Sequence, residues 1–288
     1  MDIRAIAMGV AFAIMWASAF TSARIIVADA PPLTALAIRF LISGLLGIGI
    51  ALWLGQSWRL TRAQWRATIV FGLCQNALYL GLNFVAMQTI EASLAAIIAS
   101  TMPLLVALGG LLVFGERVRF LGAAGLVVGI LGVALIMGSR LGAGVDMFGL
   151  ILCVIGVLSL TVATMAMRSA SSGGNLMMIV GLQMLIGSAS LAVIALPTEP
   201  WDVTWSTPLI LAFVYTTLIP GLAATWVWFK LVERIGAVRA ATFHFLTPFF
   251  GVAVAAVLLG EALGPLDIVG VLVIMAGILA VQLSKQTR

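Results

Sequence analysis

Charge is scarce in this sequence. Only 9% of its 288 residues are Asp, Glu, Lys or Arg, against roughly a quarter in a soluble domain, so there is too little polar surface to coat a globule in water. Histidine occurs once, at His244, and cysteine twice, at Cys74 and Cys153. Both cysteines sit inside apolar runs without a partner at a metal-ligand or redox spacing, and they read as small buried core residues. The ten acids all fall in loops or at helix ends, where an intramembrane aspartyl protease would need them within spans. A serine protease would need a nucleophile paired with a histidine. Ser100 or Thr101 with His244 is conceivable, but no Gly-x-Ser-Gly-like elbow supports it. No flavin, haem, metal or nucleotide site is visible, so no cofactor is expected and ATP does not drive the protein.

Apolar residues are what the chain has in abundance: 63% are hydrophobic and the mean hydropathy is +1.22. This is the composition of an all-α integral membrane protein. The opening run, MDIRAIAMGVAFAIMWASAF, is too long for a secretory h-region and no A-x-A-like site ends it, so it reads as a retained first span. A bilayer core needs about 20 apolar residues per helix. Cutting at charges, prolines and Gly/Ser clusters predicts ten transmembrane helices at 4–27, 33–55, 65–87, 91–114, 119–138, 146–168, 174–197, 207–231, 237–259 and 264–283. No intervening loop is long enough to be a domain.

The net charge of +5 is spread over short loops. It reports topology and makes no case for nucleic acid. Lys and Arg favour cytoplasmic loops. With the N-terminus inside, the cytoplasmic segments collect Arg4, Arg59, Arg62, Arg66, Arg117, Arg119, Arg168, Lys230, Arg234, Arg239, Lys285 and Arg288, twelve of the fifteen basic residues. Arg24 and Arg140 fall outside and Arg39 within a span. Both termini are therefore expected in the cytoplasm.

The sequence repeats itself. STMPLLVALGGLLVFGER begins at Ser100 and FLTPFFGVAVAAVLLGEA at Phe245, and each carries a proline followed twelve residues later by Gly-Glu: Pro103 to Gly115-Glu116, Pro248 to Gly260-Glu261. The separation is 145 residues, and it also pairs Ala92 with Ala237, Gly125 with Gly270 and Gly132 with Gly277. Two five-helix units follow, 1–142 and 143–288. Because five is odd, the second enters the membrane inverted relative to the first. Inverted repeats give two mirror-related states, as in many secondary transporters.

The segment WASAFTSARIIVADAPPLTALAIRF, the two ASLAAIIASTMP…FGER-type segments and ten spans in two halves resemble the EamA branch of the drug/metabolite transporter superfamily, and within it YddG-type amino-acid exporters. The resemblance covers essentially the whole chain. It implies a monomer with ten helices around a central cavity, in a bacterial-type inner membrane, exporting aromatic and other neutral amino acids by alternating access.

Polar groups inside spans tend to face a bundle interior or a water-filled cavity. Span three offers Asn76, Tyr79 and Asn83, three and four apart and hence on one helical face. At 1.5 Å per residue, Trp16, Tyr79 and Ser100 fall near mid-membrane. An aromatic floor with hydroxyl and amide groups suits a substrate with an apolar side chain and a polar backbone end. The other reading of these groups is hydrogen bonding between neighbouring helices. Two readings also stand for His244: a substrate ligand or proton carrier, and a neutral imidazole bonded to a carbonyl of the next helix. Pro103 and Pro248, near mid-span, are expected to bend their helices and to act in gating. Arg39, a few residues inside span two, reaches outwards or takes helix-end carbonyls; substrate carboxylate binding is the alternative. GAAGLVVGILG in span five and GVLVIMAGILA in span ten carry small residues that let helices approach closely.

A channel would want a continuous polar stripe or charged rings, whereas the polar residues cluster at mid-depth. Small multidrug pumps and proton antiporters rely on a membrane-embedded carboxylate, and the first span has none. Phosphate-bearing substrates would call for several cavity cations. Neutral or zwitterionic small molecules remain, amino acids first and other neutral metabolites or drugs second, moved downhill or with protons through His244.

Overall fold

The computed structural model describes residues 3–115, 119–142, 144–166 and 173–286. Glu116, Arg117, Arg168 and Arg288, which entered the repeat and topology arguments, lie outside them. Among the described residues the regular elements are all helical. Ten spans are long and apolar enough to cross a membrane: Ile3–Asp29, Pro32–Trp53, Arg62–Ala86, Ala92–Phe114, Phe120–Gly142, Met147–Ala166, Leu176–Thr198, Thr207–Ile235, Arg239–Leu259 and Pro265–Ser284. They are numbered one to ten here, and each lies within four residues of its expected bounds at either end.

Local chemistry sets several span starts. Span two begins at Pro32, where a missing N–H removes no helix bond. Span three opens on a capping box in which the Thr61 hydroxyl accepts from the Gln64 N–H and the Gln64 side chain accepts from the Thr61 N–H. The Ser206 hydroxyl likewise accepts from Leu209 N–H at the start of span eight.

The chain folds as two compact units, each drawing on both sequence halves. Unit one comprises residues 1–21, 89–150 and 223–288; unit two comprises 22–88 and 151–222. In unit one, spans five and ten meet along their glycines. A Cβ on Gly277 would stand 2.5 Å from the Gly129 nitrogen and 2.7 Å from the Gly125 oxygen, so only glycine permits this approach. Arg140 closes one end of that pair: it holds Asp267 through two nitrogens, at 2.9 and 3.2 Å, and Glu91 at 2.6 Å, tying spans four, five and ten together. In unit two, spans two and seven pack the same way, and a Cβ on Gly181 would stand 2.9 Å from the Gly44 oxygen.

Four spans depart from a continuous α-helix. Span three turns π-helical over Gly72–Leu80 and span eight over Ile219–Ala223. Span four breaks at Thr101, between Ala92–Ser100 and Met102–Phe114. Span nine passes from Ala237–Ala241 through a 3₁₀ turn, Thr242–Leu246, into Thr247–Leu259. Each repeat proline, Pro103 and Pro248, is thus the second residue of a new helix, and the interruption lies just upstream of it. The helices that follow, Met102–Phe114 and Thr247–Leu259, are themselves 145 residues apart at both ends.

Candidate functional site

Unit one gathers the lone histidine into an aromatic group. Phe12 and Trp16 stand one turn apart on span one, Trp228 lies on span eight, and His244 sits in the 3₁₀ turn of span nine. The His244 ring centroid is 5.2 Å from that of Phe12, 5.3 Å from that of Trp228 and 6.3 Å from that of Trp16. Phe12 lies 4.7 Å from Trp228 and 5.8 Å from Trp16. These separations are in the range of favourable aromatic pairs, and the near-perpendicular rings of His244 against Phe12 and Trp16 have edge-to-face geometry.

Two backbone features place the imidazole. Pro248 has no N–H to give the His244 carbonyl four residues back, and the Thr247 N–H takes that carbonyl in a tighter turn. Next to His244, the Phe243 ring is seated against Gly9 of span one, where a Cβ would come within 2.3 Å of it. Phe243 also belongs to a small buried core with Ala5, Leu231 and Ala240, against which Trp228 and Leu246 pack. The turn carrying His244 is thereby anchored to spans one and eight. No hydrogen bond to the imidazole is found among the described residues, so the carbonyl bond of one of the two readings of His244 is not seen there. An aromatic-lined place with one imidazole can stack on a flat side chain or receive an ammonium group through cation–π attraction.

Of the residues singled out in the sequence, Trp16 and His244 come together in unit one. Ser100 lies in the same unit at the break of span four, and its hydroxyl is donated to the Ile97 carbonyl at 2.6 Å. Asn76, Tyr79 and Asn83 lie in unit two, Asn76 and Tyr79 within the π-helical stretch, and all three are buried. Asn76 donates its amide N–H to the Gln183 carbonyl at 2.9 Å, across to span seven, and fits against Gly187. Asn83 donates to the Tyr79 carbonyl at 2.8 Å beside Gly156. The π-helix also leaves the Cys74 carbonyl to accept from the Ser159 hydroxyl of span six. Phe12 and Trp228 were not legible as site residues; among 14 phenylalanines and 8 tryptophans, only packing selects them.

At the span ends, acids serve as helix caps. Glu199 accepts from the Leu33 and Thr34 N–H groups at 2.8 and 2.7 Å, and Glu261 from those of Ala92 and Ser93 at 2.8 and 2.9 Å. The Gly-Glu pair at 260–261 therefore has a physical meaning. Gly260 ends one helix in the left-handed conformation, and Glu261 caps the start of another.

A family model for the EamA-like transporter family matches the chain twice, over residues 3–138 and 147–283. The chain belongs to that family. An uncharacterised transporter of Bacillus subtilis (strain 168), YvbV, is 28% identical over 277 residues, covering 96% of this chain and 90% of the relative. A probable amino-acid metabolite efflux pump of Salmonella typhimurium is 27% identical over 197 residues, 65% of this chain and 66% of the relative. A solved crystal structure matches all of both chains with a TM-score of 0.70 at 21% identity, a likeness of fold alone. This EamA-like protein is a multi-pass membrane transporter of the drug/metabolite transporter superfamily, and members of its family are transporters, not enzymes.

Proposed function

We propose that this EamA-like transporter exports aromatic and other neutral amino acids by alternating access, in the manner of the YddG-type exporters it resembles. The observation that carries the reading is the group formed by Phe12, Trp16, Trp228 and His244. It offers a flat apolar side chain a stacking partner, and an ammonium group a π face. Trp16, His244 and Ser100 are the proposed substrate contacts of unit one. The corresponding proposal for unit two is that Asn76, Tyr79 and Asn83 act through their side-chain oxygens and the second amide N–H of each asparagine, one N–H of each already serving a backbone carbonyl. The efflux-pump relative supports an amino-acid substrate by its name alone.

The topology belongs to the same proposal. Two inverted five-helix repeats, 1–142 and 143–288, have both termini in the cytoplasm of a cell bounded by a plasma (inner) membrane, and the protein works as a monomer around a central substrate path. Pro103 and Pro248 mark where spans four and nine repack between states.

Proteoliposomes loaded with labelled phenylalanine, tryptophan, threonine and methionine test the reading, with and without a pH gradient. Saturable efflux with counterflow is expected, reduced about tenfold or more in Trp16→Ala and Trp228→Ala through loss of aromatic contacts. Efflux of none of the four would overturn it in favour of other small neutral metabolites or drugs. Gradient-driven efflux that His244→Ala abolishes would establish the proton-coupled alternative.

A further inference from the structure

Unit two buries a guanidinium that no acid among the described residues neutralises. Arg39 of span two is 5% exposed, and its Nε has no hydrogen-bond partner. No ion pair to it is found among the described residues. Ser43, one turn on and on the same helix face, is 0% exposed, and its hydroxyl is likewise without a partner. Two acids of the unit have other roles: Glu199 caps span two, and Asp29 accepts from the Ser206 hydroxyl. The Phe40 ring centroid lies 5.0 Å from the guanidinium carbon.

Facing this pair from span eight is Gly221, inside the π-helical turn Ile219–Ala223. A Cβ at 221 would stand 3.6 Å from Ser43 Oγ, 3.8 Å from Arg39 Nη2 and 3.2 Å from the Thr216 carbonyl oxygen. Glycine therefore keeps a side chain from coming between them. The neighbouring hydroxyls of Thr216 and Thr217 turn away, donating to the carbonyls of Ala212 and Phe213 in their own helix.

A buried cation without a counter-charge is strongly disfavoured in apolar surroundings. Here it stands beside a second unsatisfied donor, and both call for an acceptor. The guanidinium fork matches the two oxygens of a carboxylate, and a single cation with a hydroxyl suits one negative charge better than a phosphate dianion. We propose that Arg39 and Ser43, with Gly221 holding the space beside them open, form a carboxylate-binding site in unit two, and that its ligand is the α-carboxylate of the transported amino acid. The identity of that ligand rests on the amino-acid reading above; the site itself does not.

The test has two arms. In the first, detergent-purified protein is titrated with 3-phenylpropionate and with its neutral counterpart 3-phenylpropanol, following thermal stability and heat of binding. The wild type should respond saturably to the acid and not to the alcohol. Ser43→Ala removes a hydroxyl that has no partner among the described residues, so the unliganded variant should be at least as stable as the wild type. It should nevertheless bind the acid about tenfold more weakly, and Arg39→Lys should weaken binding by at least about tenfold. Equal responses to acid and alcohol, or unchanged affinity in Ser43→Ala, would overturn the site. In the second arm, phenylalanine and phenethylamine compete with labelled phenylalanine efflux from proteoliposomes. Phenethylamine competing as well as phenylalanine would overturn the site while leaving amino-acid export standing. Binding of the acid through Arg39 and Ser43 without efflux of any amino acid would overturn the ligand named here, together with the export reading.

Discussion

Gly115 and Gly260 stand 145 residues apart and end their helices in the same conformation, φ 63° and ψ 24° at one, φ 67° and ψ 23° at the other. A left-handed residue at this point closes the helix and lets its last carbonyls find donors. A side chain there meets strain even though nothing among the described residues lies within 4 Å of the position at either glycine. Gly260→Ala should therefore destabilise the protein by about 1 kcal/mol. Gly49→Ala, in the interior of span two and with equally open space, should cause no loss. Thermal unfolding in detergent compares the two, and equal midpoints would count against the conformational argument.

Glu261 follows Gly260, and its carboxylate spans the first N–H groups of span four. Glu261→Ala leaves those donors unserved and should cost about 1 kcal/mol, with Glu261→Gln intermediate because it keeps one oxygen acceptor. Hydrogen exchange at Ala92 and Ser93 reads the effect locally. Unaltered protection in Glu261→Ala would show that the cap contributes nothing.

Pro248 and His244 are linked through one carbonyl. With alanine at 248 an N–H becomes available four residues beyond His244, and an α-helical bond can replace the 3₁₀ bond from Thr247. The turn would then rewind and carry the imidazole off its place between Phe12, Trp16 and Trp228. Pro248→Ala is expected to insert normally and to lower transport several-fold, with the same direction for Pro103→Ala, where the break at Thr101 would close. Unchanged flux in both variants would remove the prolines from the transport cycle.

Asp146, in the loop before span six, accepts from the Thr89 hydroxyl at 2.6 Å and from the Gly149 N–H at 2.9 Å. The Thr89 bond is the larger of the causes that hold its carboxyl below the usual 3.8. A depressed folded-state value contributes stability above the ordinary carboxylate range that disappears as pH falls through the folded value. The wild type should thus lose stability below about pH 4 more steeply than Asp146→Asn. Thr89→Val should move the titration upwards. Identical pH–stability profiles for wild type and Asp146→Asn would refute the linkage.

Composition and spacing alone determined that this chain crosses a membrane ten times, because apolar length against bilayer thickness is a one-dimensional property of the sequence. The double Pro-to-Gly-Glu pattern was legible for a similar reason. Proline and glycine impose their backbone preferences wherever they stand, so Met102–Phe114 and Thr247–Leu259 have matching ends. Trp16 and His244 stood out as an aromatic and a titratable group at mid-span.

Their neighbours did not. Phe12 and Trp228 become site residues only because spans one, eight and nine pack together. The π-helical turns at Gly72–Leu80 and Ile219–Ala223 leave no periodic trace in side-chain pattern, since they answer to what the neighbouring helices require. Asn76 illustrates the difference: its position on span three was visible, but its amide bond to Gln183 on span seven was not. Arg39 is the sharpest case. The sequence allowed it to reach outwards along its own helix, and tertiary packing instead buried it beside Ser43 and Gly221, because partnership for a long side chain is settled by the helices around it.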